Sequence, residues 1–284
     1  MFYYRAIDLI DPMVPIFHTE TDIWDLVLRL YRVRKICASI HKIFPGGLAK
    51  IYTIKDIARE LFASGEESSV VTEISRLDNV MRKSIGYIAK EIPSLDPEAP
   101  LTYIIDLIMN LGLECLPVAK EDLLIGVISE ESVIDNARVY VPLELRAEDI
   151  ATKKVETIDL DAPLEEAVGL MLQKGFRRVP VKDQSDNIVG ILTMLDVIAE
   201  IAEIFRLERE LRSLDIFAKS LSEQRKIIRK PIILQPDIGA REVIDHIIRS
   251  GVGCVLIGSE NYLAGIVTER DVVRVIKKYI DVLE

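Results

Sequence analysis

Along the chain, apolar residues with the spacing of a helix are followed by short apolar runs typical of strands. This change of spacing recurs. The clearest example spans residues 155–201. Its stretch Leu164–Lys174 carries apolar residues at helical spacing and is followed by Gly175, a common helix C-terminal signal. The segments "RRVPV" and "IVGILT" then read as two strands joined by the polar turn "KDQSDN", and a second helix is predicted after Thr193. This order predicts a β-α-β-β-α unit.

The same unit recurs in three other parts of the chain. Residues 231–276 follow the first example closely, and Gly251 and Gly265 take the places of Gly175 and Gly190. A further copy reads "IPSLDPEAPLTYIIDLIMNLGLECLPVAKEDLLIGVISEESVIDNA", and the most divergent one reads "VPIFHTETDIWDLVLRLYRVRKICASIHKIFPGGLAKIYTIKDIAREL". The expected fold class is therefore α/β (α+β), with four β-α-β-β-α repeats.

One such unit cannot enclose its own apolar face, so the repeats are expected to pack sheet to sheet as two pairs. The predicted first domain covers 1–143, with repeats at about 1–65 and 84–140. The predicted second covers 144–284, with repeats at about 144–205 and 215–284. A helical connection is expected over 203–226, and "LFASGEESS" after the first repeat is expected to be a mobile loop.

Composition and charge narrow the class of protein. With 49% hydrophobic and 29% charged residues the chain reads as globular, and its net charge of −10 gives a nucleic-acid partner no electrostatic support. No apolar stretch is long enough for a bilayer, and the start lacks the pattern of a secretory signal, so no membrane association and a cytoplasmic location are expected. The three cysteines lack a CxxC pair and are predicted to be reduced core thiols. His18, His41 and His246 lie in unrelated parts of the repeat, so no metal site is expected.

Three repeats share one polar motif at the end of the second hairpin strand. A Thr ends the strand and an Asp follows three residues later: Thr53 with Asp56, Thr193 with Asp196, and Thr268 with Asp271. The spacing is that of a capping box, which stabilises a helix start without any ligand. The same helix start also offers free N–H groups to a phosphate, and a carboxylate can accept from two ribose hydroxyls. The residues alone leave both interpretations open.

The full order of signals resembles a known family. An extended entry, D-x-x-P, a helix, G-h-x-x-h-P-V and G-h-h-T-x-x-D-h are similar to the cystathionine-beta-synthase (CBS) domain. Four copies resemble two CBS pairs, or Bateman modules, as in the gamma subunit of AMP-activated protein kinase. The resemblance implies a regulatory, energy-sensing module without catalytic activity or cofactor, which binds AMP, ADP or ATP and acts on a protein partner that the sequence does not identify. S-adenosylmethionine or a dinucleotide is the alternative ligand, and an interaction scaffold with degenerate pockets is the alternative function.

The resemblance also assigns residues to the sites. The implied ribose ligands are the three motif acids, the implied phosphate neighbours are the three motif threonines with Lys55, Arg177 and Arg270, and the adenine neighbours are Ile158 and Val189. Ser132 replaces Asp in the second repeat, so that pocket is expected to be weak or empty. Lys50 replaces the motif glycine of the first repeat. In the alignment of the repeats, Arg34 of the first repeat takes the position of Arg177 in the third. Either the two modules pair within one chain or two chains form a homodimer.

Overall fold

The computed structural model describes residues 4–62, 74–208, 215–259 and 261–280. In the first half of the chain the helices and strands are β1 Ile16–Phe17, α1 Ile23–Val33, β2 Cys37–Phe44, β3 Leu48–Thr53, α2 Ile54–Phe62, α3 Ile74–Arg82, β4 Lys90–Pro93, α4 Leu101–Leu111, β5 Cys115–Lys120, β6 Leu123–Ser129 and α5 Glu130–Ala137. This is two copies of the predicted unit, with α3 between them. In the second copy, an isolated parallel bridge between Leu95 and Val118 takes the place of the first strand.

The second half repeats the pattern. Its elements are α6 Ala147–Ile150, β7 Ile158–Asp159, α7 Leu164–Lys174, β8 Arg178–Lys182, β9 Ile188–Thr193, α8 Met194–Glu208, α9 Asp215–Ala218, β10 Ile228–Arg229, β11 Ile233–Leu234, α10 Ala240–Ser250, β12 Cys254–Ser259, β13 Tyr262–Thr268 and α11 Glu269–Ile280. The predicted α/β repeat fold is thus confirmed. The expected helical connection contains α9 and a 3-10 helix at Leu221–Ile227, whereas residues 209–214 and most of the predicted loop at 61–69 lie outside the described residues.

The first helix of every repeat ends on a residue with left-handed backbone. Gly112, Gly175 and Gly251 have φ of 64°, 70° and 60° after α4, α7 and α10. Arg34 takes this place after α1, with φ of 57°. Glycine adopts this conformation without steric cost, which explains the glycine that ends three of the four helices.

The segment that precedes each repeat packs on the other repeat of its pair. Strand β4 precedes the second repeat but pairs with β3, and β10 precedes the fourth repeat but pairs with β9. In the opposite direction, Ile10 bridges to Ile128 and Thr152 bridges to Ile266. The two repeats of a pair are therefore connected by exchanged segments as well as by their sheets.

This exchange explains the motif glycines. A Cβ on Gly126 would collide with Ile10, one on Gly190 would collide with Ile228, and one on Gly265 would lie 3.0 Å from the backbone oxygen of Thr152. Glycine is needed because the crossing segment lies directly on the strand. In the first repeat β4 forms a regular antiparallel pair with β3, and Lys50 lies opposite Glu91 with its ammonium 3.6 Å from that carboxylate.

The buried core consists of two large and two small apolar clusters, each of which joins two repeats. The largest apolar cluster joins helices of the first and third repeats, with Leu26 and Ile198 as members, and the second joins helices of the second and fourth repeats, with Ile134 and Val273. Two small clusters lie between the sheets of the first and second repeats and of the third and fourth. The two halves thus pack within one chain, while the boundary at 143/144 stays a prediction. None of the helices in the described ranges has the length and apolar character needed to span a bilayer.

The cysteine prediction was wrong for two of the three residues. Cys37 and Cys115 form a disulfide between the first residues of β2 and β5, with 6.6 Å between their Cα atoms. These strands face each other across the sheets of the first pair, which brings two side chains 78 positions apart into contact. Cys254 is a buried free thiol, and burial raises its pKa.

Candidate functional site

The three Thr–Asp pairs are capping boxes at the starts of α2, α8 and α11. The Thr hydroxyl donates to Oδ2 of the Asp at 2.7, 2.5 and 2.6 Å in the first, third and fourth repeats. The Asp backbone N–H donates back to the Thr hydroxyl at 3.2, 3.1 and 3.4 Å. All three Asp side chains are buried. The local interpretation of the motif therefore holds in every copy that has it.

The second carboxylate oxygen of each Asp has different partners. Oδ1 of Asp56 accepts from Arg59 at 3.3 Å and also contacts Lys90. Oδ1 of Asp271 accepts from Thr152 at 3.0 Å and from Arg274 at 2.8 Å. Capping does not use this oxygen, so a capping role and a ligand role can coexist on one side chain.

In the third repeat, Oδ1 of Asp196 is covered by cations. Arg229 donates to it from Nε at 2.8 Å and also through Nη2, and Arg34 donates at 3.2 Å. The surrounding cavity has a volume of about 100 Å³. A nucleoside could reach this carboxylate only after the arginines moved.

The residues that meet the motif acids from the exchanged segments were missed by sequence reasoning. They are Lys90 at the first repeat, Arg229 at the third and Thr152 at the fourth. At the second repeat Asp11 takes this place, where it accepts from the Ser129 hydroxyl at 2.5 Å. A usable signal existed, because the similarity of residues 6–17 to residues 147–158 aligns Asp11 with Thr152.

At the second repeat, side chains of the first and second repeats fill the motif position. Ser129 and Ser132 cap α5 with reciprocal hydrogen bonds of 3.0 Å. The Lys35 ammonium lies 2.9 Å from Asp11 and 3.1 Å from Glu131. Burial alone would lower the pKa of Lys35, but the hydrogen bond and charge of Asp11 outweigh it and raise that pKa. This arrangement supports the prediction of a weak or empty pocket, which stays a prediction.

The largest cavity at a motif pair belongs to the fourth repeat. Its volume is about 390 Å³, against about 200 Å³ at the first repeat. Thr152, Thr268 and Asp271 form its polar side. Its apolar side contains Val155, Phe176, Pro180 and Ile266. The residues around it come from all four repeats.

Phe176 is the large apolar residue that sequence reasoning overlooked. It follows the helix end at Gly175, is 41% exposed and lines the fourth-repeat cavity from the third repeat. The predicted adenine neighbours lie elsewhere. Ile158 is buried in the core between the first and third repeats, and Val189 faces a separate groove beside Lys230.

Buried ion pairs connect the four repeats next to the fourth-repeat cavity. We call this set the central ion cluster; its members are Lys55, Glu114, Glu130, Arg177, Arg178, Glu269 and Arg270. Arg177 Nε lies 3.2 Å from Glu114, and its Nη2 donates to Glu130 at 3.0 Å and to Glu269 at 3.3 Å. Arg177 is thus buried among carboxylates and does not lie on the surface, and its phosphate-binding role stays a prediction.

Two other predicted phosphate cations also belong to this cluster. The Lys55 ammonium lies 3.0 Å from Glu114. Arg270 pairs through Nε with Glu130 and donates to the backbone oxygens of Ile108 and Leu113 at 2.8 and 3.0 Å. Both residues line the fourth-repeat cavity, but with carboxylate or carbonyl partners already in place.

The cluster separates the pKa values of its carboxyl groups. Burial raises the pKa of Glu130 to about 7, because Arg177 and Arg270 offset only part of the desolvation and nearby Glu269 and Glu114 oppose ionisation. Burial also acts on Glu114, but the charges of Arg177 and Lys55 outweigh it and lower that pKa. The pKa of Glu130 therefore lies near neutral pH, whereas that of neighbouring Glu114 lies below its usual value.

The sequence alignment of Arg34 with Arg177 was wrong. The second helix of each repeat begins with a backbone N–H that donates to an equivalent carbonyl, and these carbonyls belong to Ile36, Glu114, Arg177 and Gly253. Ile36 is thus the counterpart of Arg177. The error arose because α1 ends on an arginine instead of a glycine, so the landmark that aligns the other repeats is absent.

Fold and site together define a protein of two stacked pairs of β-α-β-β-α repeats with Thr–Asp helix junctions. The sequence model of the CBS domain matches residues 79–138, 147–203 and 225–278. The chain belongs to the CBS domain family and is built as Bateman modules. No group of three His, Cys, Asp or Glu residues in the described ranges is arranged to hold a metal ion.

Several archaeal proteins are similar to this chain. An uncharacterised 33.4 kDa protein of a ribosomal RNA operon in Thermofilum pendens is 26% identical over 227 residues, which is 76% of this chain and 73% of that protein. The crystal structure of MJ1225 from Methanocaldococcus jannaschii, proposed as an archaeal homolog of g-AMPK, superposes with a TM-score of 0.75 and 18% identity over 95% of this chain and 99% of that one. An uncharacterised Pyrococcus horikoshii protein superposes with a TM-score of 0.57 and 16% identity over 97% of this chain and 100% of that one.

Proposed function

We propose that this chain is a non-catalytic regulatory module that binds an adenosine nucleotide in the cavity of the fourth repeat. One observation carries the proposal: Asp271 lines a cavity of about 390 Å³ together with Thr152, which donates to the Asp271 Oδ1 that capping leaves unused. Ligand pockets for small molecules have volumes of about 300–1,000 Å³, so this cavity can hold a nucleotide. Membership of the CBS family and the likeness to a protein proposed as a homolog of g-AMPK support the choice of ligand.

The lining matches the parts of a nucleotide. Asp271 can accept the two ribose hydroxyls, and Val155 and Ile266 offer an apolar surface for the base. Phe176 at the mouth can stack on the base. Thr268 and the start of α11 lie beside the ribose position and favour a negative charge.

The remaining repeats contribute unequally. The first repeat can serve as a smaller second site through Asp56 and Thr53. Asp196 in the third repeat must first lose Arg229 and Arg34, so that site is weaker. The second repeat contributes none, because Asp11 and Lys35 fill it.

Regulation follows from the origin of the lining. Lys55, Glu114, Phe176 and Asp271 come from four different repeats and surround one cavity. A ligand there contacts both pairs at once, so its binding favours one packing of the pairs over others. A protein partner that contacts both pairs can read this change.

The competing proposal is a scaffold whose motif acids only cap helices. It is supported by the second oxygens of Asp56, Asp196 and Asp271, all of which already bind a cation within the chain. A thermal-shift panel of AMP, ADP, ATP, S-adenosylmethionine, NAD and GTP on the full chain separates the two. A nucleotide at 100 times its Kd adds about 2.7 kcal/mol to the free energy of unfolding. If adenosine ligands leave the melting temperature unchanged, the scaffold is correct.

A further inference from the structure

The hairpin of the first repeat differs from the other three in charge. Its strands β2 and β3 contain Lys42 and Lys50 but no acid, and a Pro-Gly-Gly turn joins them. Each of the other three hairpin sequences contains at least one acid, and these acids are Glu121, Asp122, Asp183, Asp186 and Glu260. Because the whole chain has a net charge of −10, the cationic hairpin runs against the overall charge of the protein.

Both lysines of this hairpin lie at the ring of Phe44. The Nζ atoms of Lys42 and Lys50 are 5.0 and 4.9 Å from the ring centroid. The ring is half-buried and packs on the apolar cluster that joins the first and third repeats. Each contact is a cation–π interaction, which favours this position of the ammonium group. The hairpin therefore presents an aromatic ring together with two positive charges.

A neighbouring 3-10 turn extends this surface. The Lys50 ammonium donates to the backbone oxygen of Gly86 at 3.4 Å, which brings the next residue, Tyr87, beside the hairpin. Tyr87 is 69% exposed, and Lys83 Nζ lies 4.1 Å from its ring centroid. We call this set the hairpin surface; its members are Lys42, Phe44, Lys50, Lys83 and Tyr87.

The lysines of the hairpin surface are only weakly engaged by carboxylates of the chain. Glu91 lies 3.6 Å from Lys50, and Glu60 lies 3.6 Å from Lys83. These distances exceed that of a hydrogen bond, and both acids are exposed to solvent, so the pairs contribute little. Lys42 is exposed and has no carboxylate partner within the described ranges. A carboxylate of another molecule can therefore approach these ammonium groups.

We propose that the hairpin surface binds an acidic segment of a protein partner that also carries aromatic side chains. The carboxylates of such a segment complement the lysines, and its rings pack against the exposed ring of Tyr87. Exposed aromatic residues with a charged surround are typical of the anchor positions of protein interfaces. The inference goes beyond the proposed function and does not depend on nucleotide binding.

Charge disfavours two other occupants of the hairpin surface. A nucleic acid would bring a phosphate backbone to a chain with a net charge of −10. A symmetric contact between two copies of the chain would place Lys42 and Lys83 of one copy against the same lysines of the other. An acidic protein segment meets neither obstacle at this surface.

The hairpin surface lies beside the motif acid of the first repeat. Lys90 of β4 contacts Asp56, and the next residue, Glu91, lies opposite Lys50 in the ladder of β3 and β4. A partner on the hairpin surface would therefore contact the strand that holds Lys90 at Asp56.

Fluorescence anisotropy with the full chain tests the proposal. The probe is a fluorescein-labelled random copolymer of glutamate and tyrosine, and polyglutamate and polyuridylate of similar length are the comparison probes. We expect the copolymer to bind at least about threefold more tightly than polyglutamate, because only the copolymer supplies rings, and polyuridylate to bind more weakly than either. Lys42→Glu and Tyr87→Ala should each weaken copolymer binding at least about threefold. Lys120→Glu is the matched control, since it reverses the charge of an exposed lysine in the second-repeat hairpin and should leave the affinity nearly unchanged.

Four results would overturn the inference. They are no binding of the copolymer by the unaltered chain, equal losses in Lys42→Glu and Lys120→Glu, polyuridylate binding as tightly as the copolymer, and a dimer in sedimentation that Tyr87→Ala dissociates. Lys42 and Tyr87 are exposed, so both variants are expected to fold, and circular dichroism checks this. None of these results bears on the nucleotide site.

Discussion

Thr152 donates a hydrogen bond of 3.0 Å to Oδ1 of Asp271, although the two residues are 119 positions apart. Thr152 belongs to the segment that enters the third repeat, whereas Asp271 caps the last helix of the fourth. The fourth-repeat site is therefore assembled by both repeats of its pair. Equivalent contacts from Lys90 and Arg229 build the first and third sites in the same way.

The hydrogen bond between Thr152 and Asp271 predicts that removal of the Thr152 hydroxyl destabilises the ligand-free protein. Thr152→Val removes the hydroxyl and keeps the shape, so it leaves the buried Asp271 oxygen with Arg274 as its remaining hydrogen-bond donor. We expect the free energy of unfolding in urea to fall by about 1 kcal/mol. Thr152→Ser retains the hydroxyl and should lose less than half of that. Equal losses in the two variants would show that the methyl group matters and not the hydrogen bond.

Asp271→Ala is expected to abolish nucleotide binding at the fourth repeat, because it removes the carboxylate that faces the cavity. The lost cap should also lower the free energy of unfolding by about 0.5–2 kcal/mol. Ser132→Ala removes the side chain at the same motif position in the second repeat and should leave binding unchanged. Isothermal titration with AMP compares them, and a similar loss of binding in both variants would contradict the assignment of the site.

The local part of this site could be predicted from sequence and the long-range part could not. Thr268 and Asp271 lie three residues apart, and that spacing fixes their capping geometry in any helix. The partners of Arg177 depend on packing instead, since Glu114 comes from another repeat 63 positions earlier and Glu269 from 92 positions later. Local periodicity contains no information on such contacts.

The repeat pattern predicted the fold because it, too, depends on residues close together in the sequence. The periods that define the helices and hairpins are local, and the repetition of one unit supplied the pairing of sheets. Alignment failed where a local landmark changed, as at Arg34, which ends α1 where the other repeats have glycine. The disulfide of Cys37 with Cys115 was missed because it depends on how two sheets face each other.

The close approach of the exchanged segment predicts that Gly190→Ala is destabilising. A Cβ there would collide with Ile228 and lie 3.1 Å from the backbone oxygen of Arg229. Overpacking of this kind costs about 1–3 kcal/mol. Gly86→Ala is the control, because its Cβ would meet atoms only at 3.6 Å or beyond. Urea unfolding of both variants measures the difference, and equal stability would remove the packing explanation for the motif glycine.

The pKa of Glu130 predicts a pH dependence of stability. The folded protein holds this proton up to about pH 7, whereas an unfolded glutamate loses it near 4.3. The stability linked to the proton is complete below the unfolded pKa and is lost as the pH rises through about 7. Glu130→Gln cannot ionise, so its stability relative to the unaltered protein should increase from pH 5 to pH 8. Urea unfolding at both pH values tests this, with the exposed Glu148→Gln as control.

The disulfide predicts that substitutions at two equivalent cysteines, Cys37 and Cys254, lower the free energy of unfolding by different amounts. Cys37 lies opposite Thr53 in its hairpin as Cys254 lies opposite Thr268, but only Cys37 is bonded to another cysteine. Cys37→Ser opens a loop of 78 residues and should lower the free energy of unfolding by about 2–5 kcal/mol. Cys254→Ser makes the same chemical change at a buried free thiol, so the excess loss in Cys37→Ser measures the crosslink. A reducing agent should lower the melting temperature of Cys254→Ser and leave that of Cys37→Ser unchanged; no effect on either would mean that the bond does not form in solution.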